Sequence, residues 1–195
     1  MEKSVNELYP IFLKVHQLRV LIVGGGEVGL EKLFNMLKSS PQATVTLVAP
    51  EIHPEILELA EKHPQVQIQK ERFQETHLEN RDIVIVATDQ AALNREIHGQ
   101  SKARGILTNV ADTPHLCDFY MCSIVTKGDL KIGISTNGKS PTFAKRFRQL
   151  LEEVLPESIP ELLDQLRTIR DRLKGDFAYK VDKLNELTAN LLDKN

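Results

Sequence analysis

The chain has 195 residues, 25 Lys and Arg against 27 Asp and Glu, and a formal net charge of −2. Charges of both signs are mixed along it, which excludes a global nucleic-acid-binding surface. No apolar run approaches the ~18–20 residues that span a bilayer, and no basic, apolar, small-residue leader pattern opens the chain, so the expected compartment is the cytoplasm. The two cysteines, Cys117 and Cys122, are spaced C-x4-C. That is neither a redox C-x-x-C nor half of a common zinc site, and both thiols are expected to be buried.

The pattern of residues predicts a strand over 17–23 that runs into Gly24, Gly26 and Gly29, spaced G-x-G-x-x-G, and then a helix over 27–39. This order opens a dinucleotide-binding βαβ unit. Gly24 permits the tight turn, Gly26 lets the backbone approach a pyrophosphate, and Gly29 lets the helix pack close to the strand. The free N–H groups at the helix start face anionic phosphates at the positive end of the dipole. Strands over 44–48, 66–69, 82–87 and 106–110 alternate with helices over 54–62 and 91–104. Such alternation implies an α/β fold, a parallel sheet of order 3-2-1-4-5 with helices on both faces. Ligands of such sheets bind beyond the carboxyl ends of the strands. Those ends carry the glycine turn, then Ala49, Pro50 and Glu51, then Thr88 and Asp89, then Asn109, Val110, Ala111 and Asp112. Glu51 is the nearest carboxylate to the place where a ribose-binding acid usually sits, and a solvated acid before a helix is the competing reading. No Arg lies beside it to receive a 2′-phosphate, which favours NAD over NADP.

After Asp112 the pattern changes. Strands over 119–125 and 130–135 flank the turn Lys127-Gly128-Asp129 and form a hairpin. A helix over 142–154 follows, then Pro156 and Pro160. Leu162, Leu163, Leu166, Ile169 and Leu173 share one helical face, and so do Phe177, Val181, Leu184, Leu187 and Leu191. This amphipathic tail needs a partner surface, such as a second subunit. The predicted organisation is a Rossmann domain over 1–112, a dimerisation and substrate region over 113–155, and a helical domain over 156–195.

Residues 133–140 also match the P-loop pattern G-x-x-x-x-G-K-[ST]. Pro141 argues against a nucleotide there, because it removes an N–H from the helix start and pushes Ser140 out of helical angles. Gly133 falls inside a strand. Ser140 reads better as an N-cap and Pro141 as the first helical residue. Lys139, Lys145, Arg146 and Arg148 nearby form either a site for substrate carboxylates or a solvated helix face.

Taken in order, Val23-Gly-Gly-Gly-Glu-Val, Ala87-Thr88-Asp89, Asn109-Val-Ala-Asp112 and Ser135-Thr-Asn-Gly-Lys-Ser-Pro141 resemble the precorrin-2 dehydrogenase/sirohydrochlorin ferrochelatase family, the N-terminal module of siroheme synthase. Tyr9-Pro10-Ile11-Phe12 matches the way that family enters its first strand. The resemblance covers nearly the whole chain and weakens in the C-terminal helices. It implies an NAD-binding Rossmann domain, a homodimer, a tetrapyrrole substrate, and oxidation of precorrin-2 to sirohydrochlorin, with Fe²⁺ insertion as a second activity in some relatives. It places the catalytic Asp on Asp112, where the residues alone leave open a turn-forming acid before Thr113-Pro114. It maps cofactor contacts onto Glu27, Val28, Pro50 and Glu51. Thr136 occupies a place where relatives often carry Ser near the tetrapyrrole. His115 is either an aid to metal delivery or proton transfer or a partly exposed loop His, and Lys139 and Ser140 are further substrate-side candidates. A non-catalytic NAD-sensing module and a P-loop NTPase are the rival functions.

Overall fold

The computed structural model describes residues 6–189, and these fall into two compact units. The first runs to Cys122 and includes residues 137–139; the second takes residues 123–136 and the chain from Ser140 onward.

In the first unit the strands β1 (Arg19–Val23), β2 (Thr44–Val48), β3 (Val66–Gln69), β4 (Ile83–Val86) and β5 (Leu107–Val110) form one sheet of order β3-β2-β1-β4-β5. Every pairing is parallel. The helices α1 (Glu27–Ser39), α2 (Pro54–Lys62) and α3 (Ala91–Ala103) provide crossovers. The unbroken apolar runs of β1 and β4 follow from burial on both faces. Val20 and Ile22 lie in one apolar core with Leu33, Leu37 and Ile56. Leu21 and Val23 lie in the other with Leu78, Ile97 and Ile106. Strand alternation sends successive side chains to opposite faces, so both sets are excluded from water. Truncating the fully buried Ile22 to Ala would cost about 2–5 kcal/mol.

Two expected boundaries move. The first strand begins at Arg19, because residues Val15–Gln17 form a 3-10 turn closed by Leu18 N–H on Val15 O, 3.0 Å. The hairpin opens at Ser123 rather than 119. The cause is the free edge of β5. Asp118 N–H donates to Thr108 O at 2.8 Å, Thr108 N–H donates to Asp118 Oδ2 at 3.0 Å, and Asn109 Nδ2 donates to Phe119 O at 2.8 Å. The segment after Asp112 therefore returns to cover an edge strand, which would otherwise expose unpaired backbone groups.

In the second unit β6 (Ser123–Lys127) and β7 (Leu130–Ile134) form the antiparallel hairpin. Its turn uses Gly128 at φ +55, a backbone that glycine adopts readily. Helix α4 (Pro141–Val154) lays Ala144 and Leu151 on Val125 and Ile134. Helices α5 (Ile159–Arg172) and α6 (Phe177–Thr188) bury no residue fully, and Phe177 is 83% exposed. Leu191 lies outside the described residues. Cys117 is half-buried, but Cys122 is exposed, against expectation.

Candidate functional site

The strand registers align the site. Val23 pairs with Val48 and Val86, and Val86 pairs with Val110. The next residues, Gly24, Ala49, Ala87 and Ala111, therefore stand in one row at the carboxyl edge, where the segments carrying Glu51, Asp89 and Asp112 begin.

The glycine turn is shaped by contacts from that row. Gly24 has φ +121, and a Cβ there would lie 2.2 Å from Ala87 O. A Cβ on Gly29 would lie 2.1 Å from Gly24 O, and one on Gly25 would lie 2.3 Å from Glu51 O. Around Gly26 a Cβ would meet nothing within 4 Å. Three glycines thus admit neighbouring protein, while the fourth faces open space. Gly26 is also the N-cap of α1 and brings no capping side chain. The amides of Glu27, Val28 and Gly29 lie in the first helical turn, which has no intrahelical acceptors for its N–H groups. An open cradle of helix-start amides fits a dinucleotide diphosphate.

Other groups frame the cradle. His53 N–H donates to Gly25 O at 2.8 Å. The His53 ring accepts from Glu55 N–H through Nδ1 at 3.3 Å, which caps α2, and its Nε2 lies 3.2 Å from Glu27 Oε1. The Glu27 side chain is otherwise 83% exposed; Val28 is half-buried, and Pro50, Glu51 and Asp89 are exposed. The Thr88 hydroxyl donates to Asn94 Oδ1 and accepts from Gln90 N–H at 3.2 Å, while Asn94 Nδ2 donates back to Thr88 O at 3.0 Å. Thr88 therefore secures the start of α3 beside the crevice. Asn109 is buried and turns its nitrogen to Phe119 O; any cofactor contact from it must come from the rest of the residue. Sequence reasoning does not single out Gly25, His53 or Asn94. The triple glycine and the His before Pro54 are the signals for the first two.

Asp112 is exposed at the end of this row, with φ +54. Asp adopts this left-handed region more readily than most residues. Thr113 N–H closes the turn on Val110 O at 3.1 Å, and Ala111 N–H is held by Val86 O at 2.9 Å. His115 is exposed in the 3-10 turn Pro114–Leu116 that follows. Burial pushes the Cys117 thiol above its ordinary pKa. Burial works to raise Asp118, but hydrogen bonds from Lys102 and Thr108 outweigh it and hold the carboxyl below the usual range.

In the second unit Ser140 sits at φ −156, ψ 89 and its Oγ accepts from Phe143 N–H at 3.2 Å. It is the N-cap of α4, outside the helix, with Pro141 at the first position. Gly133 lies within β7. A P-loop needs that hydroxyl residue within the helix, so the NTPase alternative fails on geometry. Thr136 Oγ1 accepts from Ser140 N–H at 3.1 Å and holds the approach to α4. Lys139, Lys145 and Arg146 are exposed, whereas Arg148 pairs with Glu152 one turn along its own helix. Among the described residues no group of three or more His, Cys, Asp or Glu side chains is placed to hold a metal ion. Among them also, no helix is long and apolar enough to cross a membrane.

Residues 11–123 match the model of the NAD(P)-binding family. The chain belongs to that family. Residues 127–153 match a second model, described as the sirohaem biosynthesis protein central region. Siroheme synthase of Psychrobacter arcticus is 38% identical over 178 residues, covering 90% of this chain and 31% of that protein. Siroheme synthase of Pseudoalteromonas atlantica is 36% identical over 187 residues, 96% of this chain and 40% of that protein. The chain spans about a third of the length of the curated relatives it matches. Among solved structures, SirC, a precorrin-2 dehydrogenase, superposes with a TM-score of 0.72 at 26% identity, covering 96% of this chain and 90% of that one. The NAD(P)-binding family match ends near the boundary between the two units, whereas the SirC likeness covers nearly the whole chain.

Proposed function

We propose that the chain is an NAD-dependent precorrin-2 dehydrogenase that yields sirohydrochlorin. One observation carries the reading: the likeness to SirC covers 96% of the chain and thus both units, beyond the part a generic dinucleotide-binding module would need. The edge geometry supports it. Helix-start amides of Glu27, Val28 and Gly29 would hold the diphosphate at the open face of Gly26. Pro50 and Glu51 would meet the adenosine ribose. Thr88 and Asp89 line the next strand end, and Asn109 fixes the segment that carries Asp112.

NAD⁺, when bound, would supply the hydride acceptor. Oxidation also releases a proton, and Asp112 is the base that takes it. The carboxylate is exposed at the end of the strand row, so a macrocycle can reach it, and its backbone is fixed by Val110 and Val86. Iron insertion is the finer proposal. Fe²⁺ enters as a substrate, and the two pyrrole protons it displaces need an acceptor that the same carboxylate provides. His115, exposed on the turn after Asp112, is a candidate for proton transfer, and Thr136, Lys139 and Ser140 are candidates for contacts to the tetrapyrrole. A homodimer covers the faces that α5 and α6 leave open, and the reaction runs in the cytoplasm.

The test is anaerobic incubation of the full chain with precorrin-2 and NAD⁺, followed by absorbance, and then addition of Fe²⁺. Appearance of sirohydrochlorin with an equal amount of NADH supports the dehydrogenase. Binding of NAD⁺ with no turnover of precorrin-2 would overturn it in favour of a sensing module. A further spectral change that needs both Fe²⁺ and the protein supports chelation.

A further inference from the structure

The loop that carries Asp112 is an arch standing on β5. It leaves the strand at Val110 and returns at Asp118, whose N–H pairs with Thr108 O at 2.8 Å. The Cys117 thiol lies inside this arch. Its Sγ is 3.2 Å from Val110 O and 3.4 Å from Thr113 O, so its single S–H has an acceptor on either side of Asp112. The same sulfur accepts from Val110 N–H at 3.4 Å and from Asn109 Nδ2 at 3.5 Å. Asn109 Nδ2 also reaches Phe119 O at 2.8 Å. Both legs of the arch are therefore joined through one half-buried atom, and the joined residues, Val110 and Thr113, bracket the residue with φ +54. Such a φ persists in a residue other than glycine when its surroundings over-determine it. The thiol supplies that constraint from within.

We infer that Cys117 is a positioning residue, clamping the arch so that the Asp112 carboxylate is held where it removes the substrate proton. This rests on the proposed dehydrogenase activity. Sulfur suits the task because it spans longer distances than oxygen and both donates and accepts. A methyl group at the same place would fill part of the space and join nothing.

The experiment compares Cys117→Ala, Cys117→Ser, Asp112→Asn and the Cys117→Ala/Asp112→Asn double variant with the parent, all as full chains. NAD⁺ affinity, melting temperature, and kcat and KM for precorrin-2 are read for each. Cys117→Ala is expected to lower kcat by roughly tenfold, the scale of a modest misplacement of a reacting group, with KM and NAD⁺ affinity held. Cys117→Ser, which keeps a donor and acceptor at shorter reach, restores most of the rate. Added to Asp112→Asn, Cys117→Ala costs nothing more, because the group it positions is already gone. Parental kcat in Cys117→Ala would overturn the inference, as would an equal fall of kcat and NAD⁺ affinity, or an additive double variant. A parent that turns over no precorrin-2 removes the proposed function, and the inference with it. That result is distinct from an active parent with an indifferent Cys117.

Discussion

Gly29 packs its α-carbon against the carbonyl of Gly24 so closely that a Cβ there would lie 2.1 Å from that oxygen. One glycine of the motif is thus needed by the protein itself, while Gly26, three residues earlier, faces open space. The two positions should separate on mutation. Gly29→Ala must push α1 away from β1 and is expected to cost about 3 kcal/mol. Thermal melting would show it even without nucleotide.

Gly26→Val should fold. Its φ of −87 and ψ of −163 are extended backbone that needs no glycine, and replacing the N-cap glycine by Val costs about 1 kcal/mol. NAD⁺ affinity should fall by on the order of tenfold or more, because the branch occupies the path of the diphosphate. Calorimetric titration that finds parental affinity would place the nucleotide elsewhere.

Arg19 and Asp82 join the starts of β1 and β4. Arg19 donates from Nε and Nη2 at 2.9 Å and from its backbone N–H at 2.8 Å. The side-chain hydrogen bond from Arg19, then its backbone N–H, holds the Asp82 carboxyl down from 3.8 to about 2. The folded state therefore binds this proton less tightly than the unfolded chain does. The resulting stabilisation is complete above the unfolded value near 4 and drains away as pH falls through about 2. Asp82→Asn should melt a few degrees lower at neutral pH and lose this part of the acid sensitivity. Melting curves from pH 5 to pH 2 test both. An unchanged slope in the variant would show that other carboxylates govern acid unfolding.

Much of this was legible in the sequence because it rests on local signals. Buried runs such as Val20 to Val23 mark central parallel strands, and Ser140 before Pro141 marks a helix start. The strand order follows from short right-handed crossovers. What stayed hidden depends on contacts between distant residues. Nothing local says that Asp118 returns to Thr108, so residues 119–122 read as part of the hairpin's first strand. His53 looks like any loop histidine until Glu55 and Glu27 are seen on its two nitrogens. Gly25 sits in a variable position of the motif, yet Glu51 O leaves it no room for a side chain.

Ser140→Ala tests the reading of the second glycine-rich segment. Loss of the bond from Phe143 N–H should cost about 1 kcal/mol. Neither the parent nor the variant should gain thermal stability from ATP with Mg²⁺. A nucleotide-dependent shift abolished by Ser140→Ala would restore the P-loop.

Asp112 separates binding from chemistry, and the choice of variant matters. Ala at φ +54 would strain the turn, so a slow Asp112→Ala enzyme could reflect a displaced backbone. Asn tolerates the same region and differs in lacking a carboxylate that can take a proton. Asp112→Asn is therefore expected to keep its melting temperature and its NAD⁺ affinity, since the diphosphate cradle lies on α1. Precorrin-2 oxidation should fall by ~10²-fold or more, the usual worth of a positioned general base. Where the parent inserts Fe²⁺, that step should fall too, because both reactions release protons at the macrocycle. Anaerobic rates for each step, measured on the same preparation, decide the matter. Oxidation at the parental rate would remove Asp112 from the chemistry. Lost oxidation with unimpaired chelation would assign the two steps to different acceptors, and His115, exposed three residues along the same arch, is the first to replace.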